Sequence, residues 1–407
     1  MTTEVQVPFR PLVSARTRPS TQAFAETALN AAARFWFVVT VLGQLLFAFA
    51  IASLYGLTAA RGDMQSWSRF LSRGYTAGDT VGNTAVVMHL VSAVVIILSG
   101  ALQFVPRIRE RFPVVHRVNG RLYMLTAVTL SVAGLYMLWV RGSIGDLSQR
   151  MGSTLNAVLI WLCAAMALRY AVARDLKTHR RWALRLFLVV SASWTFRVGF
   201  FLMLFLFNGP VGFDPTSFSG PFLTFMAFAQ YLFPLAVLEL YFLARARPGA
   251  ARRLVMAGVL FVLTLATGAG VLAVSAAKWV PSIKDGFDSR KSIARTLDAT
   301  IASSGIEVAV KQYREIKAAG AAGWNLDESQ LNTLGYQLMR ATKVKDAVRI
   351  FAINAEAYPR SANTWDSLAE GYLNDGNKPL AIAYYRKSLQ LNPNNRNAAA
   401  ALRKLEE

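Results

Sequence analysis

The sequence predicts an all-α protein: a polytopic transmembrane helix bundle of about seven spans, followed by a small C-terminal α-helical repeat domain. Three observations carry this. Of 407 residues, 54% are hydrophobic and only 16% charged, against roughly 25% charged in soluble domains. Seven stretches are long and apolar enough to cross a bilayer, which takes about 20 residues each. Residues 289–407 are polar and repeat at a spacing of 34. Three His and one Cys exclude a zinc ribbon, an iron–sulfur cluster and a disulfide scaffold, and no metal site is expected.

The elements follow in chain order. Residues 1–34 form a long polar lead, read as a cytoplasmic N-terminal segment. No small-residue cleavage pattern closes it, so the first span reads as a signal anchor. The spans are expected at 35–57, 84–105, 122–140, 153–173, 184–207, 221–243 and 254–277, giving a transmembrane domain over 35–277. Residues 278–288, with Pro281 and Gly286, read as a linker. In the first loop, Met64, Trp67, Phe70 and Leu71 share one helical face and suggest either a short interfacial helix or an ordinary loop.

Orientation follows from Lys and Arg in the short loops. The N-terminus and alternate loops carry 19 basic residues, among them Arg107, Arg117, Arg121, Arg180 and Arg253; the opposite loops carry 5. The basic side is therefore expected in the cytoplasm of the cell (inner) membrane, and an odd number of spans puts 289–407 outside. The net charge of +21 sits mostly in these loops, so it sets topology and gives no reason to expect nucleic acid. The same loops attract anionic lipid headgroups, at about 1 kcal/mol per residue.

In the C-terminal segment, Leu331 matches Trp365, Leu334 matches Leu368 and Gly335 matches Ala369. Leu338 matches Tyr372, Ala347 matches Ala381, Phe351 matches Tyr385 and Pro359 matches Pro393. This order at this period resembles the tetratricopeptide repeat, with repeats at 328–361 and 362–395. Two repeats are fewer than the three usually needed, so a degenerate pair is expected at 292–303 and 305–318 and a capping helix at 397–405. Such arrays offer a groove to a protein or peptide. The alternative is that this one packs on its own membrane domain.

Three motifs stand out in the membrane domain: His89 in the second span, Pro113-Val-Val-His116-Arg117-Val-Asn-Gly120-Arg121-Leu-Tyr123 before the third, and His179-Arg180-Arg181-Trp182 before the fifth. Over about 89–197 the pattern, with Gly100 and Arg197, resembles a multi-spanning membrane family classed as a domain of unknown function. The resemblance implies a membrane fold and no established activity. Both His-Arg motifs sit where a span begins, and helix N-termini with guanidinium groups bind anions. His116, Arg117, Arg121, His179 and Arg180 are thus either an anion site or interfacial anchors. His116 and His179 lie on one side and could ligate haem b, the alternative cofactor; otherwise none is expected.

Ionisable groups at membrane depth are functional candidates. Arg197 is expected roughly 20 Å from the cytoplasmic end, His89 about 8 Å and Gln230 about 14 Å from the outer end. His89, Arg197 and Gln230 are therefore expected to line one polar pocket for an anion, or to form a structural network. Glu239, near the cytoplasmic end, is expected to pair with Arg185, Arg121 or His179. Cys163 and the Gly268-Ala-Gly270 pair read as packing. No P-loop, nucleophile elbow or paired carboxylates are present, so no catalytic residue is assigned. The sequence supports a membrane protein whose repeats engage other proteins, with a small-ligand or redox membrane protein as the alternative.

Overall fold

The computed structural model describes residues 21–64, 67, 71, 74–76, 78–142, 145–215 and 217–406. Phe70 lies outside these residues, as do Arg10, Arg16 and Arg18, counted among the 19 basic residues, and Arg69 and Arg73, counted among the 5.

Among the described residues nine helices build the membrane domain. They are α1 (Thr21–Ala60), α2 (Thr80–Gln103), the short α3 (Pro106–Arg111), α4 (Pro113–Gly142), α5 (Leu147–Val172), α6 (Leu176–Val190), α7 (Ala192–Phe207), α8 (Pro221–Ala246) and α9 (Ala250–Phe287). Six are each long and apolar enough to span a membrane. The pair α6–α7 qualifies as a seventh when taken together, bent by 52°. Helices start where the sequence supplies caps: Asp79, Asp146 and Asp175 accept the backbone N–H groups of Gly82, Gln149 and Thr178. Pro113 occupies the first turn of α4.

The fifth span is not the straight helix expected over 184–207. It breaks at Ser191, whose hydroxyl donates to the carbonyl of Phe187 at 2.7 Å and accepts from the Gln44 amide at 2.8 Å. A serine competing for the carbonyl one turn back bends a helix. The break sits in the middle of the bundle: Leu186, Phe187, Leu188 and Val189 are consecutive and all buried. Around it α1 lies along α9, α2 along α4, and α5 against α8. Glycines permit these approaches. A Cβ at Gly270 would lie 2.6 Å from the Val198 carbonyl oxygen, and one at Gly152 would lie 2.8 Å from that of Ala227. Cys163 is buried in the core between α5, α4 and α6, as packing requires.

Two expectations are corrected at the ends of the spans. Thr21–Arg34, read as part of the segment before the first span, is the first part of α1, where Ala25 and Leu29 are buried and Leu29 packs on Ala244, Met256 and Leu260. Residues 278–288 are not a linker. α9 runs through a π-helical turn (Ser275–Trp279) to Phe287. Helices α1 and α9 have 40 and 38 residues, roughly 60 Å each, twice the hydrocarbon core. Their length exceeds what one hydrocarbon core needs, and α9 leads directly into the repeats. The contact is close because Gly286 lies against the backbone of Ser53, while Trp279 stacks on Phe47 at 5.2 Å.

Of the loop face, Met64, Trp67 and Leu71 are described, and Trp67 does not point outward. Trp67 turns inward, buried, donating from its indole N–H to the Thr58 hydroxyl at 2.9 Å, with its ring edge-on to Tyr55.

The C-terminal domain is a stack of helix pairs: α10 (Ile293–Ser304) and α11 (Ile306–Ala318), α12 (Glu328–Arg340) and α13 (Val344–Ala357), α14 (Ala362–Asn374) and α15 (Lys378–Leu391), closed by α16 (Arg396–Glu406). A short parallel ladder, β1 (Lys291–Ser292) with β2 (Trp324–Asn325), ties its start. Leu331, Leu334, Leu338, Ala347, Phe351, Leu368, Ala369, Ala381 and Tyr385 are all buried, as the 34-residue spacing predicts. Phe351 lies between Gly335 of its own pair and Gly371 of the next.

Candidate functional site

A cavity of about 350 Å³ opens among α1, α2, α4, α7 and α9. His89 and Arg197 both line it, with Tyr55, Tyr123 and Lys278. The Arg197 guanidinium donates to the carbonyl and hydroxyl of Ser193, one turn earlier in its own helix, at 2.8 and 2.5 Å. It also lies over the Phe47 ring at 5.2 Å. No carboxylate pairs with it among the described residues. His89 is turned by its Nδ1, 3.2 Å from the Leu130 carbonyl of α4. Its other ring nitrogen is then the one available to a ligand.

Gln230 is not part of this cavity. It sits on α8, which packs against α5 and α7 on the far side, and its amide donates to Ala227 of its own helix at 2.9 Å. Counting residues from the end of a span carried no information about which neighbour α8 would have. Tyr55 and Lys278 were missed for the same reason, and Tyr123 stood out only as part of the motif before the third span. Only the approach of three helices brings them to one cavity with Arg197.

The two His-Arg motifs fall at the opposite end. His179 Nδ1 lies 2.8 Å from the Ala167 carbonyl, fixing the ring against α5. His116 has a buried Nδ1 without a partner, and its carbonyl accepts from the Gln103 amide at 3.1 Å. The two imidazoles are near enough to interact electrostatically. Neither lines the cavity around Arg197. Arg117, Arg121 and Arg180 are exposed. The helix N-terminus at 177–181, read as an anion site, already holds the carboxylate of Asp175, kept below the usual carboxylate range by bonds from Thr178. Other motif residues pack: Gly100 faces Tyr123, Gly120 faces Gln103, and Arg185 lies over the Trp182 ring at 4.8 Å. Arg185 also pairs with Glu239 at 2.6 Å, as expected.

At the other end of the bundle, the repeats are fastened to the membrane domain. Arg61 of α1 donates to the backbone carbonyls of Gly286 and Asp288, and Arg295 pairs with Asp63 at 2.8 Å. Arg396 donates to the Phe207 carbonyl at 3.0 Å. The first helices of the pairs, α10, α12 and α14, abut in succession. Hydrogen bonds link them: Ser292 to Gln330, Asn363 to Glu328, and the Tyr336 hydroxyl to Glu370 at 2.7 Å. Asn332 and Asp366 occupy equivalent positions 34 residues apart, and each keeps a buried Oδ1 without a partner. Burial first, and the Glu370 charge second, push the Asp366 carboxyl up to about 6, against a hydrogen bond from Asn395 to that carboxyl.

This architecture defines the class: a polytopic helical membrane protein bearing protein-interaction repeats. Residues 86–233 match the family described as "Predicted membrane protein (DUF2306)", and residues 362–395 match the tetratricopeptide repeat. The chain thus joins a membrane domain of unknown function to C-terminal tetratricopeptide repeats. No curated protein and no solved structure matches it.

Proposed function

We propose that the chain is a membrane-anchored docking protein whose repeats face outward from the cell (inner) membrane and bind a donor-rich, basic segment of another protein. The carrying observation is the pair Asn332 and Asp366, two equivalent buried acceptor oxygens without partners on successive first helices. Such acceptors gain most from N–H donors. Glu328 and Glu370 on the same helices add negative charge for a Lys- or Arg-bearing segment. The side of the membrane is inferred from the 19-to-5 bias of basic residues.

Photo-crosslinking from Ser329 and Thr333, on the exposed side of α12, in the full chain in its membrane tests this reading. A saturable adduct that disappears in Asn332→Leu/Asp366→Leu supports it; no adduct, or one indifferent to that change, ends it. A reporter fused after Glu407 that is active only in the cytosol would overturn the orientation.

A second reading is favoured by Arg197, a cation within a span with no carboxylate partner among the described residues. In it, the cavity beside His89 takes a small carboxylate or phosphate compound. Mass spectrometry of compounds released from the purified protein should show an anion that Arg197→Gln no longer retains. A Soret band in that same preparation would redirect the reading to haem b at His116 and His179.

A further inference from the structure

A second, larger cavity of about 670 Å³ lies on the flank between α1, α6–α7, α8 and α9. Its walls are apolar, with Phe37, Phe187 and Phe233 among them. Its rim at the arginine-rich end carries Arg34 and Arg245. Neighbouring arginines at that end have acidic partners: Arg253 has Glu26 and Arg185 has Glu239. Arg34 and Arg245 have none among the described residues. Arg245 donates one N–H to the Tyr241 oxygen at 2.9 Å, which leaves the Tyr241 hydroxyl hydrogen free to donate onward.

Deeper in the cleft stands Thr40, buried to 1% exposure, with no partner for its hydroxyl. It lies six residues beyond Arg34, roughly 9 Å further in. From Arg245 to Phe233 the cleft runs twelve residues of α8, roughly 18 Å, or about the depth of one leaflet. Two unpaired cations at the surface, an unpaired donor below them and an apolar slot one leaflet deep match one chemistry.

We propose that this cleft holds one acidic phospholipid of the leaflet on the arginine-rich side. The phosphate sits between Arg34 and Arg245, an ester carbonyl accepts from Thr40, and one acyl chain lies along the aromatic wall. Plain hydrocarbon would leave Thr40 and both guanidinium groups unpaired, and a zwitterionic lipid would bring its own cation to the arginines.

Trp36 and Trp194 line the cleft and report on it. The full chain is reconstituted in phosphatidylcholine vesicles with a small fraction of chain-brominated phosphatidylglycerol or, separately, chain-brominated phosphatidylcholine. Brominated phosphatidylglycerol should quench tryptophan at a mole fraction on the order of tenfold lower, the scale set by two surface arginines. That preference should vanish in Arg34→Gln/Arg245→Gln, weaken in Thr40→Val, and persist in Arg107→Gln/Arg111→Gln, which removes equal charge outside the cleft. Equal quenching by both lipids, or a preference surviving in Arg34→Gln/Arg245→Gln, overturns the proposal. An unchanged thermal midpoint checks that each variant is folded.

Discussion

Arg185 and Glu239 meet at 2.6 Å between α6 and α8, with the guanidinium also lying over Trp182 and Phe242. This pair ties the first half of the broken span to the helix opposite. Glu239 is still 45% exposed, so its Coulombic worth is screened. Glu239→Gln should cost about 1 kcal/mol or less, read as a small drop in thermal midpoint in detergent. Arg185→Ala should cost more, because the packing on two rings goes with the charge. Equal costs would show that stacking contributes nothing.

The junction of the two domains rests on Arg61. Arg61→Ala removes the donors to Gly286 and Asp288 and should loosen the end of α9. Trypsin should then cut at Lys284, Arg290 or Lys291 faster than in the parent chain, with the repeats themselves still protected. Unchanged cutting would mean that Gly286 packing on Ser53 suffices.

Gly335 and Gly371 flank Phe351 and differ in tolerance. A Cβ at 335 overlaps the ring, so Gly335→Val should destabilise the repeats by about 2–3 kcal/mol. At 371 a Cβ would stand 3.0 Å from the ring, a contact a small shift relieves. The gain of about 1 kcal/mol for Ala over Gly in a helix should leave Gly371→Ala near neutral. The urea midpoint for protease protection of the repeats separates the two.

Asp366 sets a pH dependence. Its folded value of about 6 is above that of an unfolded carboxyl, so the folded state holds the proton more tightly. The ionised form therefore costs stability. The penalty is absent below about pH 4, grows through pH 6 and is complete above it. Allowing for partial solvent screening, it amounts to about 1–2 kcal/mol. Asp366→Asn should raise stability at pH 7 and flatten the profile between pH 4 and 6. A parent chain with no slope there would remove the buried carboxylate from the docking face.

Much of this was legible in the chain. Apolar runs of about 20 residues gave the spans because lipid offers the backbone no hydrogen bonds, so each run must be a helix. The repeats were legible because Leu331, Gly335 and Phe351 recur in kind 34 residues later. Position near the span end narrowed the partner of Glu239 to Arg185, Arg121 or His179, and packing selected Arg185. The errors lie where a neighbour decides. Residues 278–288 contain Pro281 and Gly286, which read as breakers. Yet Pro281 falls in the first turn after the π-helical turn, where its missing N–H costs little, and Gly286 is small because Ser53 lies against it. Ser191 looked like any small residue in a span until Gln44 approached it.

By itself, the sequence determined the all-α class, the apolar runs long enough to span a membrane, and which two segments are copies of one unit. Those follow from periodicity and length, which are local. Tertiary structure alone decided which helices touch. It set Arg197 beside His89 and away from Gln230, bent the fifth span at Ser191, and opened the cleft under Arg34 and Arg245. Helices in lipid have nearly uniform apolar surfaces, so their pairing turns on a few glycines and buried polar groups whose partners lie far away along the chain.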